Sequence, residues 1–268
     1  MQKNRGARLG QHFLKAKWAA RSLAYAAGIA HGDTVLEIGP GKGALTRELL
    51  ALATESGAQV VAIEKDEALV LHLNELFRDE IGSGLLTVHN ADIRDVTPET
   101  LGLVSGRFVV AANIPYYITG EIIRQFLTAE KQPRAMALLV QKEVAQRIIA
   151  KKESLLSLSV KAYGTPKIVI KVPRGNFSPP PNVDSTILLI GNISRKFFSD
   201  ISEELFFKVL HAGFKSKRKF LLSNLAGTFG KENVTRAFQE CDINMKARAE
   251  DVSLETWGRL AQELAAGE

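Results

Sequence analysis

Between Asp33 and about Ile190 the chain alternates short, almost uninterrupted apolar runs with stretches of helical periodicity, and few architectures accept that pattern. TVLEIG (34–39), QVVAIE (59–64), LLTVHNAD (85–92), FVVAAN (108–113) and AMALLV (135–140) read as strands, with ALTRELLALAT (44–54) and EALVLHLNELFRDE (67–80) as helices between them. A strand wetted on one face alternates apolar with polar residues, whereas one covered on both faces need not. The pattern therefore predicts an α/β fold, a Rossmann-like doubly wound, mostly parallel sheet with helices on both sides. Later, KIVIKV (167–172) and STILLI (185–190) flank the stiff NFSPPPN connection and are expected to extend the same sheet as antiparallel strands.

From about Phe198 the texture changes to helices alone: SEELFFKVLHAGF, SKRKFLLSNLAGTF, KENVTRAFQEC and SLETWGRLAQELAAG. Ser202 and Ser253, each followed by acidic residues, are expected N-terminal caps. The chain thus divides on paper into residues 1–195, a ligand-binding domain with a basic N-terminal arm, and residues 196–268, a small helical domain. No internal repeat interrupts either part.

Composition removes several classes. No uncharged apolar run approaches the ~18 residues a membrane span needs. One cysteine, Cys241, leaves no internal disulfide framework, and the five histidines lack metal-ligand spacing, so neither a metal nor an oxidising compartment is expected. The reading is a cytoplasmic protein. A net charge of +6 and a pI near 9.4 suit a polyanionic partner. Six cations and no acid fall within residues 1–28, which is also the bias of a mitochondrial presequence. Because RLGQHFLKAKW is not a clean amphipathic repeat, this segment is read as part of the first domain.

The chemistry gathers at strand ends. The first strand empties into EIGPGKGALT, where Gly39, Gly41 and Gly43 permit a sharp turn and close approach of a ligand to the helix start. Its G-x-G-x-G spacing is neither the dinucleotide fingerprint nor a P-loop. The second strand ends in Glu64, 23 positions beyond Gly41, where a carboxylate can accept from a ribose diol. The third ends in Asp92 and the fourth in Asn113. Polar residues at successive carboxyl ends of a doubly wound sheet converge on one crevice.

VAANIPYYIT (110–119) is the least ordinary of these endings, since an apolar strand runs into an amide, a proline and two tyrosines. Such an ending suits a planar, polar ligand. Tyr116 offers a flat ring face, and the carbonyls of Asn113 and of Pro115, or of Ile114 beside it, are candidate acceptors.

Taken together, EIGPGKGALT, Glu64, NADIRD around Asp92 and NIPYYIT resemble the S-adenosylmethionine-dependent rRNA adenine N6-dimethyltransferases, as do RLGQHFL upstream and NFSPPPNVDS downstream. The resemblance runs from about Arg8 to Lys219 with six motifs in the family's order. It implies a class I methyltransferase fold with S-adenosylmethionine as methyl donor and no metal. By the same resemblance, Gly39 and Gly41 face the methionine part of the cofactor, Glu64 holds the ribose, Asp92 accepts from the adenine amino group, and His12 and Leu14 close over the site. Asn113, Pro115 and Tyr116 become the catalytic set, with Phe177 as the opposite face for the target base. Tyr117 is expected to be packing; the family often has a polar residue there and Ser-Thr after it, where this chain has Ile118 and Thr119.

FKSKRKF (214–220) crowds Lys215, Lys217, Arg218 and Lys219 onto what reads as less than two helical turns, and with the N-terminal cations and Lys151-Lys152 it forms an expected track for RNA phosphates. The family implies the target: two adjacent adenosines in the 3′-terminal hairpin of 16S rRNA in the small ribosomal subunit; a monomer is expected, though not from the family. Three rivals stand beside this reading. A large-subunit rRNA adenine methylase conferring macrolide resistance shares the glycine loop and the NIPY-like motif. A nicotinamide-dependent oxidoreductase would use the glycine loop and Glu64 but leaves NIPYY unexplained. A non-catalytic ribosome-assembly factor would need only the basic surface.

Overall fold

The computed structural model describes residues 12–266; the expectations placed on Lys3, Arg5, Arg8 and the RLGQ part of the first motif lie outside the described residues. Nine strands are found among the described residues: β1 (Phe13–Leu14), β2 (Thr34–Ile38), β3 (Gln59–Glu64), β4 (Leu86–Asn90), β5 (Phe108–Asn113), β6 (Ala135–Gln141), β7 (Thr165–Val172), β8 (Phe177–Ser178) and β9 (Ser185–Gly191). The helices are α1 (Lys17–Ala26), α2 (Ala44–Ser56), α3 (Glu67–Leu76), α4 (Arg78–Gly82), α5 (Thr119–Thr128), α6 (Lys142–Ile149), α7 (Leu155–Lys161), α8 (Glu203–Gly213), α9 (Leu221–Phe229), α10 (Lys231–Glu240) and α11 (Leu254–Ala265).

Seven strands form one sheet in the order β4-β3-β2-β5-β6-β9-β7. The first five are parallel, and β9 runs antiparallel to both β6 and β7, as the sequence pattern predicts. Strand order reverses at β2, which pairs with β3 on one side and β5 on the other, so the crevice beyond its carboxyl end is the topological switch point. Strands in the middle of the sheet are buried along almost their whole length, β5 from Phe108 to Ala112 and β6 from Ala135 to Val140. That double burial is the physical reason for the unbroken apolar runs.

Local signals place the helices. Asp66 ends the turn after β3 and accepts from the amides of Ala68 and Leu69, which starts α3. α2 starts after Gly43 and stops at Gly57, both in the left-handed region. α1 and α2 seal one side of the sheet with Leu23, Leu49, Leu50 and Ala53, joined in the core by Phe77, Leu139 and Phe177.

The chain divides into two compact units, residues 1–145 with 165–193, and residues 146–164 with 194–268. The second unit therefore takes in α7 and the end of α6 as well as the C-terminal helices. Its core is built on Phe206, Leu210, Leu225, Phe238 and Trp257, all buried. Ser202 and Ser253 cap α8 and α11 by accepting from the amides of Leu205 and Thr256.

Candidate active site

The glycine loop follows β2 and crosses the carboxyl ends of β3 and β5. Gly43 has φ +80°, and a Cβ there would lie 2.6 Å from the Phe77 ring, so backbone conformation and packing both demand glycine. Gly41 has φ +58° with the Phe13 ring 3.0 Å from where a Cβ would stand. Gly39 meets nothing closer than the Asn113 carbonyl oxygen at 3.9 Å, and its backbone opens onto the crevice.

Glu64 is only 5% exposed and cross-links the loop to its own strand end. Its Oε2 accepts from the Gly41 amide at 3.1 Å and its Oε1 from the Asp66 amide at 2.9 Å. Each oxygen keeps a second lone pair, so the carboxylate can brace the loop and still accept from a diol.

Asp92 is not the last residue of its strand. β4 ends at Asn90, and Asp92 caps the single 3₁₀ turn Ile93–Asp95. Its carboxylate takes the Lys65 ammonium at 2.8 Å, a fork from Arg94 at 2.5–3.2 Å and the Arg94 amide at 3.1 Å. The Arg94 guanidinium, with Lys65 second, holds the carboxyl far below the usual aspartate range. These hydrogen bonds fill the carboxylate's acceptor capacity of about four lone-pair sites. Lys65 and Arg94, which the sequence did not single out, therefore control what else Asp92 can bind.

The NIPYY turn provides a further wall. Asn113 Nδ2 donates to the His12 carbonyl at 3.0 Å. A carbonyl cannot donate, so the amide orientation is set by chemistry and Oδ1 is left as the acceptor facing the crevice. The Pro115 carbonyl already accepts from the Ile118 amide at 3.2 Å, closing the turn, while no described hydrogen bond takes the carbonyl of Ile114. Of the two backbone acceptors left open by sequence, Ile114 is the freer one. Tyr116 is half-buried, its hydroxyl 2.6 Å from Ser185 Oγ, and burial pushes the phenol up from its ordinary value.

β1 carries the Phe13-Leu14 end of the RLGQHFL motif onto β8 in a two-stranded ribbon, with Phe13 opposite Ser178 and Leu14 opposite Phe177. The ribbon brings His12, Phe13 and Leu14 over the glycine loop. His12 Nδ1 lies 2.8 Å from the Pro179 carbonyl, which makes Nδ1 the protonated nitrogen, and its ring stacks on Tyr116 with centroids 5.8 Å apart.

One cavity gathers His12, Leu14, Gly39, Gly41, Glu64, Asp92, Asn113, Pro115 and Tyr116 with their neighbours. Two sequence expectations fare differently. Phe177 has no accessible surface and packs in the core beneath the ribbon, so it offers no face to the cavity. Tyr117, expected to be packing, is 67% exposed and lines the cavity.

Among the described residues no group of His, Cys, Asp or Glu has the arrangement of a metal site, and no helix is long and apolar enough to cross a membrane. In the second unit, the basic cluster is not helical: α9 begins only at Leu221, and residues 214–220 form a turn held by Asn224, whose Nδ2 donates to the carbonyls of Gly213 and Ser216. Lys215, Lys217, Arg218 and Lys219 are all exposed on it. Lys152 is paired with Glu250 at 2.7 Å, which takes it out of a free cationic track.

A doubly wound sheet with a glycine loop, an acidic strand end and an amide-proline-tyrosine turn around one crevice defines an S-adenosylmethionine-type methyltransferase acting on an amino group. Residues 2–266 match the family described as ribosomal RNA adenine dimethylase, and the chain belongs to that family. Similar relatives include the ribosomal RNA small subunit methyltransferases A of Dehalococcoides mccartyi strain CBDB1, 41% identical over 96% of this chain and 87% of that one, and of Moorella thermoacetica, 36% identical over 95% and 91%. Solved structures with the same fold include a dimethyladenosine transferase from Plasmodium falciparum (TM-score 0.82, 25% identity, covering 96% of this chain and 98% of that one). The 23S rRNA methyltransferase ErmE is also similar (TM-score 0.74, 26% identity, 94% and 99%).

Proposed function

We propose that the chain dimethylates N6 of two adjacent adenosines in the 3′-terminal hairpin of small-subunit rRNA, in the cytoplasm, during ribosome assembly. The observation that carries the reading is the Asn113 amide, locked by the His12 carbonyl with Oδ1 toward the cavity and Tyr116 beside it. Names borne by the more similar relatives support the small subunit as target.

The residues present fit the cofactor. Gly39 leaves open backbone, Glu64 has spare lone pairs for a ribose diol, Ile93 offers an apolar wall for adenine, and Asp92 becomes an acceptor for its amino group once Arg94 or Lys65 gives up a hydrogen bond to it. S-adenosylmethionine, bound there, supplies a methyl group activated by its sulfonium. The chain's own work is on the acceptor. Adenine N6 is a weak nucleophile because its lone pair is delocalised into the ring. Asn113 Oδ1 and the Ile114 carbonyl accept its two hydrogens, favour pyramidalisation and turn the lone pair toward the methyl group. Tyr116 stacks the flipped base, an interaction worth about 1–3 kcal/mol against the cost of unstacking. No general base is required, because methylated N6 is acidic enough to lose its proton to water. In the second round one N6 hydrogen remains, so a single acceptor suffices.

Labelled methyl transfer to unmethylated small subunits and, separately, to unmethylated large-subunit rRNA tests this, followed by nucleoside analysis. Dimethyladenosine on the small subunit alone is expected. Label on the large subunit would favour the resistance-type activity, and no label on either would refute the enzyme reading.

A further inference from the structure

The two motifs NIPYY and FSPPPNVDS lie far apart in sequence, yet the structure ties them together at a single hydroxyl. Ser185 closes the second motif and opens β9, with its backbone in register between Gln141 of β6 and Val172 of β7. It belongs to the sheet, not to a loop. The residue has no exposed surface, and its Oγ stands 2.6 Å from the Tyr116 hydroxyl, 69 positions earlier. No other described hydrogen bond involves that Oγ. A hydroxyl buried in a strand that continues Ile187, Leu188 and Ile190 needs a partner, and Tyr116 is the one it has.

The same segment also holds the ring against which Tyr116 lies. The Pro179 carbonyl accepts from His12 Nδ1 at 2.8 Å, and His12 stacks on Tyr116 at 5.8 Å with 29° between the planes. The hydroxyl hydrogen bond pins the long axis of the tyrosine ring, and the His12 face limits rotation about that axis. Both restraints come from residues 179–185.

We propose that Ser185 is a positioning residue for methyl transfer, holding Tyr116 from the edge of β9 so that the tyrosine ring presents the target base at a fixed tilt. The inference rests on the reading that Tyr116 stacks the target adenine. A base stacked on a tilting ring carries its N6 out of line with the methyl group, and an error of this kind lowers the rate of the chemical step more than it lowers binding. It also explains why FSPPPNVDS ends in serine: the proline run delivers a hydroxyl to the end of a strand, where it cannot drift.

The test is a double-mutant cycle on the full chain with unmethylated small ribosomal subunits: wild type, Ser185→Ala, Tyr116→Phe and the double variant. S-adenosylhomocysteine affinity and thermal melting are measured alongside. Each single variant is expected to lower kcat about 3- to 10-fold, the loss of one hydrogen bond, with S-adenosylhomocysteine affinity unchanged. The double variant is expected to be no slower than the slower single, because both changes delete the same hydrogen bond. An unchanged kcat in Ser185→Ala, or losses that multiply in the double variant, would overturn the proposal. If Ser185→Ala does not fold, Tyr116→Phe removes the same bond from the other side and an unchanged kcat there refutes it equally. Tyr116→Leu separates the two layers: retained activity in that variant refutes the stacking reading itself, whereas its loss beside a fully active Ser185→Ala refutes only the positioning role.

Discussion

Glu37, in the middle of β2, is the group whose replacement speaks most directly to the forces under the glycine loop. It is fully buried, and neither carboxyl oxygen has a partner in good hydrogen-bond geometry. Burial pushes its pKa from 4.5 up to about 8, with Thr46 of α2 offsetting only part of that rise and the charge of Glu64 adding to it. At neutral pH the folded ligand-free protein therefore keeps this acid protonated while the unfolded chain has released the proton. With the native state binding more protons than the unfolded one between the two pKa values, stability falls as pH rises through that window. At 1.36 kcal/mol per unit, Glu37 removes roughly 3–4 kcal/mol between about pH 5 and about pH 8. Glu37→Gln cannot titrate, so its stability should decline less over the same range. The comparison is the pH slope, which separates ionisation from any cost of burying the amide itself. Urea or thermal unfolding of both proteins is the assay. A divergence in melting temperature of roughly 10 °C from low to high pH is expected for a unit of this size. Parallel curves for the two proteins would refute the assignment of Glu37 as a neutral buried acid.

Other consequences are equally direct. Gly43→Ala forces a Cβ to 2.6 Å from the Phe77 ring at φ +80°, and should destabilise the first unit by roughly 2 kcal/mol in urea unfolding; an unchanged midpoint would show that Phe77 moves freely. Arg94→Leu frees two or more acceptor sites on Asp92, and should tighten S-adenosylhomocysteine binding a few-fold by calorimetry, whereas weaker binding would mean that Arg94 holds the ligand and does not compete with it. Replacing Lys217, Arg218 and Lys219 together by alanine should reduce the slope of log K against log salt for RNA binding by about 0.7–0.9 for each phosphate no longer neutralised, without altering S-adenosylhomocysteine affinity; an unchanged slope would place the RNA elsewhere.

Sequence alone determined the layered sheet, because a strand covered on both faces must be apolar throughout, and that requirement is written residue by residue in FVVAAN and AMALLV. It also determined that the glycine loop, Glu64 and Asn113 meet, since a parallel sheet sends every strand's carboxyl end to the same edge. Periodicity could not foresee how distant segments meet. The pairing of β1 with β8 buries Phe177 and carries His12 onto Tyr116, and it depends on register across 163 residues, from Phe177 back to Leu14. Saturation of Asp92 by Lys65 and Arg94, the choice of Ile114 over Pro115 as the free carbonyl, and the Ser185 tether of Tyr116 are likewise decided by which groups packing brings within 3 Å or so. The basic turn at residues 214–220 looked helical because lysine and arginine are good helix formers, but the Asn224 side chain claims the carbonyls of Gly213 and Ser216 and holds a turn before α9. Local chemistry writes the elements and the edge where ligands bind; the orientation of each polar atom at that edge comes from partners that only the folded chain supplies.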